Sequence, residues 1–90
     1  MIIKIIMQAK IGNTYPNVQC QSFIDPETGR LRVRTWQNTA LPDGLLVECS
    51  KAIRESYPVG TLFFATEAKV CIKPGGRIYV RAKNQEIIVK

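Results

Sequence analysis

Apolar residues recur at every second position through most of this chain, and turn-forming residues cut the runs at short intervals. A β-strand imposes that pattern, because successive side chains point to opposite faces. In the opening segment Ile3, Ile5, Met7, Ala9 and Ile11 share one parity, with Lys4, Gln8 and Lys10 on the other, which predicts a strand over 2–11. A second strand is expected over 18–24, with Val18, Cys20 and Ile24 on one side. Asp25-Pro26-Glu27-Thr28-Gly29 then supplies the residues a tight turn needs for its dihedrals. The chain is expected to return as a third strand over 30–37, with Leu31, Val33 and Thr35 inward.

A long strand is predicted over 61–72, carrying Leu62, Phe64, Ala68, Val70 and Ile72 on its inner face. Lys73-Pro74-Gly75-Gly76 places proline second and glycine third in a turn, where a positive φ is required. The partner strand, 77–83, turns Ile78, Val80 and Ala82 inward, and Asn84-Gln85 is expected to reverse the chain into a terminal strand over 86–89. Between the hairpins, Leu45, Leu46, Cys49, Ala52, Ile53 and Tyr57 fit a helical stripe capped by Asp43. The favoured reading is a short strand over 45–48, then a helix of two turns capped by Ser50 and running to Tyr57. Pro58 ends the helix in both readings, since the residue before a proline is pushed out of helical space.

The expected fold is mainly β: a single domain over 1–90, with about six strands and one short helix. Strands this short bury their apolar faces by curling into a small barrel or a strongly bent antiparallel sheet, with the helix plugging an open end. A sheet with the helix packed on one face is the alternative. Gly29-Arg30-Leu31-Arg32-Val33-Arg34 and Gly76-Arg77-Ile78-Tyr79-Val80-Arg81 resemble each other, but their flanks do not align, so convergence on a good strand start is preferred to duplication.

Several chemistries are disfavoured by missing residue types. Without histidine there is no Ser-His-Asp or Cys-His catalysis and no histidine metal site. Cys20, Cys49 and Cys71 form no C-x-x-C pair, so no zinc site is expected; three reduced thiols are preferred to a Cys20–Cys71 disulfide. No phosphate-cradling glycine motif and no paired-carboxylate motif occurs. A non-enzymatic protein without metal or cofactor is therefore expected. The opening apolar run is short and interrupted by Lys4, unlike an export signal, and nothing approaches a membrane span. A cytoplasmic location without membrane contact is the expectation.

Thirteen Lys and Arg against seven Asp and Glu leave a net charge of +6, and the excess is uneven. Residues 29–40 hold Arg30, Arg32 and Arg34 with no acid, and 68–85 hold Lys69, Lys73, Arg77, Arg81 and Lys83 with no acid. Strand parity places Arg30, Arg32, Arg34 and Trp36 opposite the inward residues of one strand. It places Arg77, Tyr79, Arg81 and Lys83 likewise on another, and puts Phe63 outward with Thr61 and Ala65. Cations neutralise phosphates and rings stack bases, so the eight residues of the two basic strands, Arg30, Arg32, Arg34, Trp36, Arg77, Tyr79, Arg81 and Lys83, are the candidate interface for single-stranded nucleic acid. A merely solvated basic face explains the same pattern. The alternative function is protein–protein interaction, as an inhibitor, an accessory subunit or a homodimer, because Trp, Tyr and Arg are also interface residues. For a dimer, the opening strand with Ile2 and Ile6 on its second face is the candidate contact.

Overall fold

A computed structural model describes residues 10–90. The expected opening strand falls almost entirely outside them; at its end, the Asn13 amide donates to the Lys10 carbonyl (3.1 Å) across a turn. Six strands follow in the described residues: β1 (Thr14–Ile24), β2 (Leu31–Thr35), β3 (Val47–Glu48), β4 (Leu62–Ile72), β5 (Ile78–Ala82) and β6 (Ile88–Val89). One short helix, α1 (Lys51–Glu55), links β3 to β4. The strand order is β2-β1-β4-β5-β3, with β6 also paired to β4. An antiparallel bridge between Arg34 and Leu46 joins the two ends of that order, so the sheet is nearly closed as a barrel.

Both hairpins form on the predicted turns. The Gly29 amide donates to the Asp25 carbonyl (2.7 Å), and the Asp25 side chain accepts from the Glu27 amide (2.9 Å). At the second turn the Gly76 amide donates to the Lys73 carbonyl (2.9 Å), and Gly75, in third position, has φ +98°. That φ is costly for any residue with a Cβ. Ser50 caps α1 as expected, accepting from the Ile53 amide (3.2 Å), but the helix stops at Glu55 rather than Tyr57. Ser56 closes the last turn by donating its backbone amide to the Ile53 carbonyl, ahead of the constraint set by Pro58.

Three expectations about the strands need correction. Phe63 and Ala65 are not outward: both are completely buried, while Leu62 and Phe64 are half-buried. Further along β4 the buried residues are Ala68 and Val70, so the inward parity changes across Thr66 and Glu67. The facing part of β1 changes in the same place, with Val18, Cys20 and Ser22 buried after Pro16 and Asn17. Asn17 has φ +49°, a left-handed conformation asparagine tolerates better than most residues, and there the paired strands exchange faces. Strict alternation cannot survive such a point.

Asn84 and Gln85 do not reverse the chain. Both have positive φ in a short 3-10 turn, yet β5 and β6 are each antiparallel to β4 and so run in the same direction. Ala82 faces Ala68 and Ile88 faces Phe64, so six steps on this side span four on β4. The turn is a bulge that bends one strand around the barrel. The sheet is also not wholly antiparallel, because β3 pairs with β5 in parallel, Val47 opposite Val80 and Glu48 opposite Arg81. The chain between them, α1 and then β4 running the other way, is the crossover that a parallel pair needs.

The core gathers Val18, Cys20, Val33, Leu41, Val47, Phe63, Val70 and Val80. Thr35 joins them with no exposed surface, and its hydroxyl is used twice: it donates to the Pro42 carbonyl (2.7 Å) and accepts from the Leu45 amide (2.9 Å). One side chain thereby ties β2 to the loop leading into β3. Thr35→Val should cost about 1–3 kcal/mol, measured by urea denaturation, because it strands two backbone groups at nearly unchanged volume.

The cysteines are free thiols and the Cys20–Cys71 disulfide is not formed: Cys20 points into the core, whereas Cys71 is half-buried on the other face of β4. Burial, with a smaller contribution from nearby Cys49, raises the Cys20 thiol from its ordinary 9.0 to about 12. Burial also raises Cys49, although the adjacent Arg54 guanidinium opposes the shift. Alkylation of the native protein at neutral pH should therefore modify Cys71 first and reach Cys20 and Cys49 only on unfolding, as peptide mass mapping would show. Because the native pKa of Cys20 is the higher, its contribution to stability is complete below pH 9 and disappears as pH rises toward 12.

Candidate nucleic-acid interface

The bridge between Arg34 and Leu46 is where β2 and β3 touch; on the side toward Leu31 and Cys49 they part. The gap is a cleft of about 170 Å³, with Arg30, Arg32 and Val33 on one wall and Leu46, Val47, Glu48 and Cys49 on the other. Tyr79 of β5 and the ends of the β4–β5 turn, Lys73 and Arg77, complete it. Arg54 of α1 reaches in as well. Its Nε donates to the Leu31 carbonyl (3.3 Å) and its Nη1 to the Cys49 carbonyl (3.0 Å), so one guanidinium spans the gap. Those carbonyls flank the open seam, and a charged donor is a strong partner for them.

Half of the candidate residues meet here: Arg30, Arg32, Arg77 and Tyr79 line the same cleft. Their strands are not neighbours, since β3 lies between β2 and β5 around the barrel. Closure, rather than adjacency in a flat sheet, brings them together. Arg32 lies 4.0 Å from the Asp25 carboxylate, while Arg30 and Arg77 are exposed and make no ion pair among the described residues. Tyr79 has the predicted outward parity yet is only 8% exposed. The Lys73 ammonium sits 5.0 Å from its ring centre, and its hydroxyl accepts from Arg81 (3.0 Å). As it stands, the ring is the cleft's floor rather than an open stacking platform.

The other four candidates lie elsewhere. Arg81 stands behind the cleft wall, with its Nε 2.8 Å from Glu48, whose carboxylate holds the arginine's proton more firmly. Lys83 is exposed at the start of the 3-10 turn. Arg34 and Trp36 belong to a separate cluster on the outside of the β1–β2 hairpin. The Arg34 guanidinium lies 4.8 Å from the ring centres of both Phe23 and Trp36, and its Nη2 donates to Gln21 (3.0 Å). Its buried Nε has no hydrogen-bond partner, and the electron-rich ring faces are what the cation has instead. Trp36 is fixed at the end of β2 by backbone and side-chain bonds to Gln19.

Two of the cleft's cations, Arg54 and Lys73, were outside the candidate set. Lys73 lay in the acid-free segment and opens the predicted turn, so its place beside Arg77 could have been inferred from hairpin pairing. Arg54 carries no such signal, because its role depends on where α1 docks. Arg30, Arg32, Arg54, Lys73 and Arg77 thus surround the cleft with one carboxylate, Glu48, already engaged by Arg81. Such an arrangement attracts anions and offers arginine forks to their oxygens. Among the described residues no three Cys, Asp or Glu side chains gather as a metal site needs, and no helix is long and apolar enough to cross a membrane. The chain matches no known family model, no curated protein and no solved structure.

Proposed function

We propose that the protein is a binding module for single-stranded nucleic acid, holding phosphate in the open seam between β2 and β3. The observation that carries this reading is the convergence of Arg30 and Arg32, Arg54, and Lys73 and Arg77 from three elements on one concave site. The second support lies along β2. Arg32 and Arg34 project from the same face two residues apart, about 7 Å along a strand. A strand leaving the cleft in that direction meets the Phe23–Arg34–Trp36 stack, whose π and guanidinium surfaces suit bases of any sequence.

Fluorescence anisotropy with a labelled single strand tests the reading. Affinity should fall with salt, because each phosphate that the cations neutralise releases condensed counterion. Flat anisotropy at low salt for single-stranded DNA, RNA and duplex alike sinks the proposal. Self-association is a second reading, favoured by one observation: β6 pairs on one side only among the described residues and exposes Ile88 and Val89. Light scattering that reports a monomer at high concentration removes it. Ile2 and Ile6, the expected contact on the opening strand, lie outside the described residues.

A further inference from the structure

Resting on the nucleic-acid reading, we infer that the cleft takes the terminal phosphate monoester of a strand rather than the phosphodiesters along it. The first ground is size. Sites for whole organic ligands run about 300–1,000 Å³, and a cleft of about 170 Å³ holds a charged group and little more. The second is direction. Arg32 stands on β2 with Arg30 just before it, Arg54 comes from α1, and Lys73 and Arg77 come from the β4–β5 turn, so the cations reach one cleft from three parts of the fold instead of following a single strand. A track along a polymer needs charges in file; a cleft reached in this way suits a group that ends.

The third ground is chemical. A terminal monoester carries about −1.5 to −2 at neutral pH and has three strong acceptor oxygens, where a diester carries one charge and two. A diester must also send both of its ester arms back out of the opening. Arginine forks from separate elements can each take a different oxygen of the monoester. Val33 and Val47 in the two walls and the ring of Tyr79 between them are apolar surface, beside which a charge-assisted contact is less screened than in open water. Arg54 already donates to the Leu31 and Cys49 carbonyls, so it lends charge from a fixed position while Arg77 and Lys73, both exposed, supply adaptable donors.

The same internally labelled oligonucleotide is compared in four forms: 5′-phosphorylated, 3′-phosphorylated, hydroxyl at both ends, and circular. One phosphorylated form should bind about tenfold tighter than the hydroxyl form, the difference made by one further charge-assisted bond, and the two phosphorylated arms identify which end. In R77Q the advantage should shrink toward the hydroxyl level, with an unchanged urea midpoint certifying the fold. Inorganic phosphate should erode the advantage before it displaces the hydroxyl form. Equal affinity for all four forms overturns the inference and leaves the nucleic-acid reading standing; no binding of any form overturns both. An advantage that survives both R77Q and K73Q also overturns it, because the terminal phosphate would then lie elsewhere.

Discussion

Phe63→Ala should destabilise the protein by about 3–5 kcal/mol, while the neighbouring Phe64→Ala should cost far less. Phe63 is the largest side chain with no exposed surface, and its ring meets Tyr57 edge-on at 5.7 Å. Removing it leaves a cavity bordered by strands on both sides of β4, where hydrogen bonding to β1 and β6 restricts collapse. Phe64, half-buried, lines a shallow groove with Asn17, Gln19 and Lys90. Since small domains hold about 5–15 kcal/mol in total, the first variant should unfold at markedly lower urea and the second near the parent midpoint. The reverse ranking would mean that β4 turns its other face inward and that Asn17 and Thr66 do not exchange the faces.

The second large effect concerns binding. Arg30→Glu combined with Arg77→Glu should weaken single-strand binding by about a hundredfold or more at low salt, since each reversal removes one phosphate contact and adds a repulsion. These two are chosen because both are exposed and neither makes an ion pair among the described residues, so folding should be little affected. Arg81→Glu is the contrasting control. It disrupts a bond to Glu48 and one to Tyr79 behind the wall, and should reduce binding less while loosening the site. Unchanged anisotropy titrations for the double variant would disconnect the cleft from nucleic acid.

The parts of the fold legible in the sequence were those decided within a few residues. Asp25 to Gly29 and Lys73 to Gly76 specify their turns by dihedral requirements that few residue types meet, and Ser50 specifies a cap through one hydroxyl. Alternation marked the inward sides of β2 and β5 correctly, with Val33, Thr35, Val80 and Ala82 all buried. It failed on β4 because the exchange of faces originates in the dihedrals of Asn17, more than forty residues away in the chain. The parallel pairing of β3 with β5 was equally hidden, since it depends on the path through α1 and back along β4.

Legibility of the candidate site divides in the same way. Arg30, Arg32, Arg77 and Tyr79 could be named because their parity is a local property. That they share a cleft, and that Arg34 and Trp36 do not, follows from barrel closure, to which residues scattered along the whole chain contribute. The burial of Tyr79 beneath Lys73 and Arg81 is likewise a product of neighbours on the folded surface.

The open seam has one more consequence. Where β2 and β3 part, the ring of backbone pairing is completed by a side chain, Arg54, instead of by a strand. An anion seated between the walls would act as a second clasp, drawing Arg30 and Arg32 on one side toward Lys73 and Arg77 on the other. Occupancy and closure of the ring then become one equilibrium. At a ligand concentration one hundred times Kd that linkage is worth about 2.7 kcal/mol, and slower amide exchange in β2 would report it. The barrel's least finished edge would be the one its ligand completes.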